Sequence, residues 1–337
     1  MAPALGLTRA TFAKLSPHPY LLANLEPASD DVPPARSNGR APNEVRQPVV
    51  NSASLSHANG SAVVRLGDTT AICGVRAETI PTSSIPNFRA SNRHTELLDY
   101  DLLVPNIELA TGCAPEFLPG GPPSTLAQTL STRIYSLLHS AKLVNPENLR
   151  IWHTRPAENL VADEGRMEED DEEDAEIGEK YIAAYWVLYI DIFFISFDGN
   201  PFDAAWGAVV AALRDTKLPQ ARWDPDRELV VCSAKDPRPL DISGLPIACT
   251  AIVFTGKETD RPTDERFWLL VDPDRLEESL CDESITIVVE TTQGTPRILT
   301  ISKHGGTVLS SKLLRSKEFL AWATKRSDDF VAAITGK

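Results

Sequence analysis

Residues 181–213, YIAAYWVLYIDIFFISFDGNPFDAAWGAVVAAL, determine the fold more than any other part of this chain. The first half of the stretch is rich in aromatic and β-branched residues and is interrupted only by Asp191 and Ser196. That composition predicts a long central strand. Residues 198–201 (DGNP) predict a turn, and the alanines in residues 203–215 predict a helix that packs through small side chains.

Three strand-like segments precede this stretch, at residues 49–55, 61–66 and 70–77. Asn59-Gly60 separates the first two segments and Gly67-Asp68 separates the second and third. Asn-Gly between alternating segments is a strong hairpin signal, and Gly-Asp is compatible with a second tight turn. The pattern therefore predicts a three-stranded antiparallel meander.

An amphipathic helix is predicted between the meander and the long strand. The sequence PGGPP at residues 119–123 ends any regular structure, and Ser124 follows it at the N-cap position. Apolar residues then recur at helical spacing as far as Ala141. Residues 97–104 are predicted to form a further strand or extended segment.

The second half of the chain repeats the pattern of strands followed by helices. Strands are predicted at residues 228–232, 247–254, 267–271, 285–291 and 297–301, and helices at 273–280 and 319–334. Runs of strands backed by helices predict an α+β protein with two sheet-and-helix subdomains, not a Rossmann sheet. We divide the chain into a lead-in at 1–47, a first subdomain at 48–220 and a second at 221–337.

Composition and charge narrow the class of protein. The chain has 337 residues, of which 42% are hydrophobic and 24% charged, so a soluble globular protein is predicted and a membrane protein is not. A net charge of −14 ordinarily argues against a nucleic-acid partner. Residues 163–179 contribute −10 of this charge, however, so the rest of the chain is nearly neutral. This acidic run is predicted to be a solvated, disordered insert in the first subdomain, with mimicry of nucleic acid as the alternative.

The motifs of several common enzyme classes are absent. The sequence has no GxxxxGK[ST], GxGxxG, GxSxG or HExxH motif, its six histidines are isolated, and its five cysteines form no CxxC pair. We therefore predict no metal site and no cofactor. The one suggestive carboxylate pair is Asp191 and Asp198, but residues seven apart point to opposite faces of a regular strand. An inward Asp191 satisfied by a neighbour, with Asp198 as a turn former, is the favoured interpretation.

An ordered set of motifs resembles the RNase PH family. It comprises RSNGRAPNEVR at residues 36–46, HANGSAVVRLGDTTAICGV at 57–75, D-x6-DGN-x2-DAA from Asp191, LVDPDRLEE at 270–278 and KHGG at 303–306. Within the family, the sequence resembles the RNase PH-like subunits of the eukaryotic RNA exosome core. The resemblance implies an RNase PH-like fold, of the ribosomal protein S5 domain 2-like type.

The departures from the family pattern imply a degenerate site. Active members carry Asp-Gly-Gly or Asp-Ala-Gly followed by Ser/Thr-Arg, whose hydroxyl and guanidinium hold the attacking phosphate. Here Pro201 lacks an N–H donor, Phe202 replaces the guanidinium, and Asp203 is expected to add a negative charge. We expect no catalytic residue in this degenerate site, which comprises Asp191, Asp198, Asn200 and Asp203.

The resemblance implies a structural ring subunit that supports RNA processing and degradation by a separate 3′-to-5′ nuclease. The implied partners are other RNase PH-like exosome subunits in a hetero-hexameric ring, S1/KH-type cap subunits, the catalytic nuclease subunit and single-stranded RNA. The implied location is the nucleus and nucleolus, and also the cytoplasm. An active phosphate-dependent 3′-to-5′ exoribonuclease and a free-standing binding module with an acidic arm are the alternatives.

Three arginines are the candidates for RNA binding. Arg89 and Arg93 lie four residues apart in a polar loop with no carboxylate before Glu96. Arg133 is the one basic residue of the amphipathic helix between Ser124 and Ser140, apart from His139. Phosphate contacts by such side chains are independent of sequence and sensitive to salt.

Overall fold

The computed structural model describes residues 8–27, 31–93, 95–155, 180–256, 267–291, 294–306 and 317–336. The acidic run at 163–179 lies outside these residues, so its predicted disorder stays a prediction. No helix in the described ranges combines the length and the apolar character that crossing a membrane requires.

The predicted long strand lies inside the first sheet. In the described part of the chain this sheet comprises β1 (Pro48–Ser52), β2 (Gly60–Leu66), β3 (Thr69–Pro81), β4 (Leu103–Leu109), β5 (Arg150–Thr154) and β6 (Lys180–Ser196). The strand order is β1-β2-β3-β6-β4, and β5 pairs with the first part of β6. Strand β4 runs parallel to β6, and the other pairs are antiparallel. The predicted central strand and meander are confirmed.

The second half of the chain forms another sheet and a separate hairpin. The hairpin consists of β7 (Lys217–Asp224) and β8 (Leu229–Pro239), and the sheet consists of β9 (Ile247–Thr255), β10 (Phe267–Val271), β11 (Glu283–Glu290) and β12 (Arg297–His304). The order in the sheet is β10-β9-β11-β12. Strand β7 was not predicted, because Pro219 and alternating polar residues obscure the strand pattern.

Two of the described helices lie between the two sheets. The described helices are α1 (Arg9–Leu15), α2 (Pro17–Leu25), α3 (Glu96–Asp99), α4 (Thr125–Ala141), α5 (Pro201–Asp215), α6 (Arg275–Leu280) and α7 (Lys317–Thr335). Helix α5 packs on β2 and β3 of one sheet and on β9 of the other, and α7 packs on β9, β11 and β1. A Cβ atom at Gly207 would lie 2.6 Å from the ring of Phe330, so α5 can approach α7 this closely only with glycine there. The predicted α+β fold with two sheets and helices is confirmed.

Three local predictions are wrong. Residues 96–99 form helix α3, and the strand predicted at 97–104 begins only at Leu103. Asn59 makes no tight turn with β1, since its N–H donates to Val75 O (2.8 Å) and its Oδ1 accepts from the Ala77 N–H (2.9 Å) on β3. Helix α6 starts after Asp274, which forms a capping box with Glu277, and not after Asp272.

Asp272, which does not cap α6, is the centre of a buried ionic network. Its carboxylate is 1% exposed and accepts hydrogen bonds from Arg46 N (2.7 Å), Arg46 Nη2 (2.8 Å) and Asn200 Nδ2 (2.7 Å). Arg326 of α7 lies 3.8 Å from the same carboxylate, and its Nη1 donates to Arg46 O. Burial raises the pKa of Asp272, but the Arg46 hydrogen bonds and the Arg326 charge outweigh it and hold that pKa well below its usual range.

A second ion pair extends the network toward the lead-in. Arg36 and Glu277 are both fully buried, with Nη1 and Oε2 3.5 Å apart, and Arg40 Nη2 lies 3.8 Å from the same Glu277 oxygen. Arg36 also donates to the backbone oxygens of Val271 and Asp272. The RSNGRAPNEVR motif is therefore fixed on the loop between β10 and α6.

We expect Asp272→Asn to lower the free energy of unfolding by about 3–5 kcal/mol, because it leaves Arg46 and Arg326 without their buried counter-charge. Urea unfolding followed by circular dichroism measures this effect. The depressed pKa also means that the contribution of Asp272 is fully present above the unfolded pKa and is lost as pH falls below it, so the difference between the two proteins should shrink toward pH 3. The matched control is Asp226→Asn in the exposed β7–β8 turn, and equal stability of all three proteins would contradict the role of Asp272.

Candidate functional site

The turn after β6 is fixed on both sides. Gly199 has φ +74°, and a Cβ atom there would lie 2.4 Å from the carbonyl carbon of Asp274. Thr69 holds the turn from β3, since its Oγ1 accepts from the Asp198 N–H (2.9 Å) and donates to Gly199 O (2.8 Å). Only glycine fits this position, in conformation and in space.

Asn200 connects the turn to the buried network. Its backbone is left-handed (φ 49°, ψ 50°), and Pro201 begins α5 immediately after it. The side-chain Nδ2 donates to Asp203 Oδ2 (2.9 Å) and to Asp272 Oδ1 (2.7 Å), while the backbone N–H donates to Glu278 Oε1 (2.8 Å). The contacts of Asn200 therefore hold the turn in place, and the residue is 1% exposed.

Asp203 connects α5 to strand β9 of the second sheet. Its carboxylate is buried, and it accepts from Thr250 Oγ1 (2.7 Å) and from the Thr250 N–H (3.0 Å) on β9. Burial raises the pKa of Asp203, while Arg326 and the Thr250 hydrogen bonds oppose that rise. The Asp203 side chain turns into the interface between α5 and β9, and the expectation that it adds a negative charge at a phosphate position stays a prediction.

Phe202 and Arg133 line a cavity between α4 and the second sheet. The Arg133 guanidinium lies 3.9 Å from the centre of the Phe202 ring, and its Nη2 donates to Thr286 Oγ1 (2.9 Å). Burial lowers the pKa of Arg133, and the carboxylate of Asp203 counteracts part of this. The cavity measures about 290 Å³ and is lined by Thr132, Arg133, Ser136, Leu137, Ser140, Phe202, Thr286, Val288, Thr300 and Ser302. Among the described residues, hydroxyl groups, apolar side chains and one arginine line it, and no carboxylate does.

Asp191 and Asp198 lie in different surroundings. Asp191 is exposed on the outer face of the first sheet, where Asn106 Nδ2 donates to it at 3.3 Å, so the inward position favoured for it is wrong. Asp198 has a 41% exposed side chain and lies 3.7 Å from Arg46 Nη1. Burial and Asp274 raise the pKa of Asp198, whereas Arg46 lowers it. Neither carboxylate lines the Arg133 cavity.

Metal coordination has no candidate in the ranges that the structure describes. There, no group of three or more His, Cys, Asp or Glu side chains is arranged to hold a metal ion. Cys73, Cys113, Cys232, Cys249 and Cys281 are all free thiols, and three of them are buried.

The two loop arginines lie apart from the cavity. Arg89 is exposed, and its N–H donates to Tyr100 Oη at 3.1 Å. Arg93 is also exposed, with its guanidinium 5.4 Å from the Trp152 ring, and its backbone oxygen accepts from Arg150 Nη2 (3.2 Å). Arg133 contacts Phe202 and Thr286 instead. The three RNA-binding candidates are thus divided between two surfaces.

Sequence reasoning missed Arg46 and Glu278. Arg46 holds Asp198, Asp272 and the Pro273 carbonyl together, and Glu278 accepts the Asn200 N–H at the start of α5. The available signal was the pairing of three arginines in RSNGRAPNEVR with four carboxylates in LVDPDRLEE. Nothing local in either motif shows that the two segments meet.

The two matched domains define the class of protein to which this chain belongs. Residues 44–219 match domain 1 and residues 244–316 match domain 2 of the RNase PH type in the 3′ exoribonuclease family. The chain belongs to this family, and the predicted RNase PH-like fold is confirmed.

Particular relatives narrow the assignment. The chain is 34% identical to the exosome complex component rrp43 of Schizosaccharomyces pombe over 312 residues. This alignment covers 92% of this chain and 93% of that one. This agrees with the sequence motifs, which resemble those of the subunit called ribosomal RNA-processing protein 43 and of its sibling subunits. The chain is also 27% identical to the exosome complex component Rrp42 of Archaeoglobus fulgidus, over 82% of this chain and 83% of that one.

Solved structures agree on the fold. A chain of the Archaeoglobus fulgidus exosome with RNA bound to the active site superposes with a TM-score of 0.61 at 24% identity, covering 93% of this chain and 96% of that chain. A chain of an archaeal exosome core gives a TM-score of 0.58 at 22% identity, covering 94% and 96%.

Glu278 provides a test of how the site depends on pH. Burial raises its pKa to about 7 from an ordinary value of 4.5, although the Asn200 N–H lowers it. Between these two pH values the folded state keeps a proton that the unfolded state releases. The contribution of Glu278 to the free energy of unfolding is therefore fully present below pH 4.5 and is lost as pH rises through 7.

We expect Glu278→Gln, which keeps an acceptor for Asn200, to be more stable than the natural protein at pH 8 by on the order of 1 kcal/mol. The gain should vanish near pH 4.5. Thermal unfolding across this pH range measures it, with Glu228→Gln in the exposed β7–β8 turn as the control. A gain that does not change with pH would contradict the titration of Glu278.

Proposed function

We propose that the protein is a structural, non-catalytic ring subunit of an RNA exosome. It would pair with other RNase PH-like subunits in a hetero-hexameric ring that also carries S1/KH-type cap subunits. The ring would lead single-stranded RNA to a separate 3′-to-5′ nuclease, in the nucleus, nucleolus and cytoplasm. The similarity to exosome complex components supports the complex, and the altered site supports the absence of catalysis.

The contact between Phe202 and Arg133 is the observation on which the absence of catalysis rests. In active family members a guanidinium stands where Phe202 is found here. Arg133 could still attract an anion, but it is committed to the Phe202 ring and to Thr286. In the part of the chain that the structure describes, no carboxylate lines the cavity to position a metal ion or to move a proton. Such a site lacks the charges that stabilise phosphoryl transfer.

An exposed apolar patch supports assembly with other chains. Helices α4 and α5 pack on one face of the first sheet, and the outer face carries Leu55, Phe193 and Ile195 at 41%, 38% and 49% exposure. Ile72 lies opposite Phe193 in the register of β3 and β6 and is partly exposed. We call these four residues the outer-face patch. Contiguous exposed apolar side chains on a sheet are typical of protein interfaces.

The first prediction of this proposal concerns catalysis. With single-stranded RNA, phosphate and Mg²⁺, the protein should release no nucleoside diphosphates, alone or assembled with RNase PH-like partners. Asp198→Ala and Phe202→Ala should leave this result unchanged, because this site contributes nothing to catalysis. A bacterial RNase PH provides the positive control. Phosphate-dependent release that Asp198→Ala abolishes would establish the active exoribonuclease instead.

The second prediction concerns assembly. Replacing Phe193 and Ile195 together by Glu should reduce co-purification with RNase PH-like partners at least about tenfold, since charges would be buried in an apolar contact. Size-exclusion chromatography of the co-expressed chains measures this, and a cooperative melting transition verifies the fold. Leu118→Glu, at a site 79% exposed in a loop, is the matched control. A natural protein that stays monomeric with every RNase PH-like partner would contradict the ring assignment.

A further inference from the structure

A cleft separates the β5–β6 ribbon from the β7–β8 hairpin. It measures about 630 Å³ and is lined by Asn148, Arg150, Ile151, Trp152, Trp186, Leu218, Pro219, Gln220, Ala221, Asp236, Arg238 and Pro239. Two indole rings and two guanidinium groups thus line one cleft, with a single carboxylate from Asp236. None of these side chains belongs to the Arg133 cavity.

Trp152 is the best-placed aromatic group in this cleft. It is partly exposed, whereas Trp186 is only 5% exposed and forms part of the cleft wall. Two cations lie beside its ring, Arg93 at 5.4 Å and Lys180 at 4.9 Å from the ring centre. A partly exposed indole next to two cations can stack on a planar group while the cations contact a neighbouring anion.

The charges around Trp152 differ in how far they are neutralised. Arg150 is bound by the buried carboxylate of Glu96, with Nη2 2.8 Å from Oε2, so its charge is matched within the protein. Arg93, Lys180 and Arg238 are exposed, and no carboxylate in the described ranges lies within ion-pair distance of them. Among the described residues, these three cations at the rim of the cleft have no carboxylate partner, so they are the groups that an anionic ligand would meet.

The other face of the same ribbon repeats the pattern. Tyr181 is the register partner of His153 on β5, and the two rings are 5.6 Å apart. The guanidinium of Arg155 lies 5.7 Å from the Tyr181 ring. Aromatic side chains beside cations thus occur on both faces of one short ribbon.

We propose that this cleft is a binding site for single-stranded RNA, in which a base stacks on Trp152 and the adjoining phosphates contact Arg93, Lys180 and Arg238. The inference deepens the proposed function, because it adds a stacking site next to the loop that carries Arg89 and Arg93. Alternating aromatic and basic groups suit a flexible chain of planar bases and phosphates, without dependence on sequence. An acidic peptide would use the cations but would gain little from the indole ring.

The experiment uses the full chain and a fluorescein-labelled oligouridylate, with affinity measured by fluorescence anisotropy over a range of salt concentrations. Trp152→Leu should weaken binding about tenfold, and Trp152→Phe should recover most of that loss, because stacking requires a flat ring. Arg93→Gln with Lys180→Gln should lower the slope of log affinity against log salt by about 1.4, or about 0.7 for each lost phosphate contact. Arg65→Gln, an exposed arginine on β2, is the matched control.

Crosslinking of the same RNA carrying 4-thiouridine locates the contact, and we expect crosslinked peptides from β5 and from the start of β6. Unchanged affinity in both Trp152→Leu and the Arg93/Lys180 double variant would overturn the proposal. It would also be overturned if polyglutamate bound with the same dependence on Trp152, which would indicate an acidic protein partner. Neither result affects co-purification with RNase PH-like chains, so failure here is distinguishable from failure of the ring assignment. The double variant changes only exposed side chains, so it remains informative if Trp152→Leu does not fold.

Discussion

The buried carboxylate of Asp272 is the constraint on which the arrangement of this protein depends. An unpaired charge in a protein interior costs several kcal/mol, so the chain must bring its counter-charges there. Arg46 comes from the lead-in, Arg326 from α7 and the Asn200 amide from the turn before α5. These contacts fix the position of the turn at residues 198–200, and the turn fixes the residue at which α5 begins. The direction of Phe202, and hence the shape of the Arg133 cavity, follows from that start.

The sequence was sufficient for elements whose signals are local. The apolar run of β6, the Ser124 cap of α4 and the small residues of α5 specify their structures within a few neighbours, and all three agree with the structure. Glu96 shows where local reasoning ends. Its carboxylate is fully buried between Arg150 and Tyr185 Oη (2.8 Å), and this long-range contact makes a helical turn where a strand was predicted.

The candidate site likewise combines features that the local sequence predicts with features that long-range contacts determine. Loss of the phosphate-holding pattern is visible in the letters DGNPFD, because it depends on residue types alone. The direction of Asp203 is not visible there, since Thr250 on a distant strand fixes it. The pairing of Trp152 with Arg93 and Lys180 was equally hidden, because the three residues come from three separate segments.

The separation in sequence of the Asp272 contacts bears on how the chain folds during synthesis. Asp272 follows Arg46 by 226 residues, and Arg326 follows Arg46 by 280. A ribosome must therefore synthesise the chain at least as far as Arg326 before the lead-in can contact all of its partners. Until then the arginines of the lead-in remain hydrated and the edge strand β1 lacks the cover of α7. Such late, non-local closure slows folding and exposes strand edges to other chains. A protein built in this way gains from having neighbouring subunits or chaperones present while it is still being made.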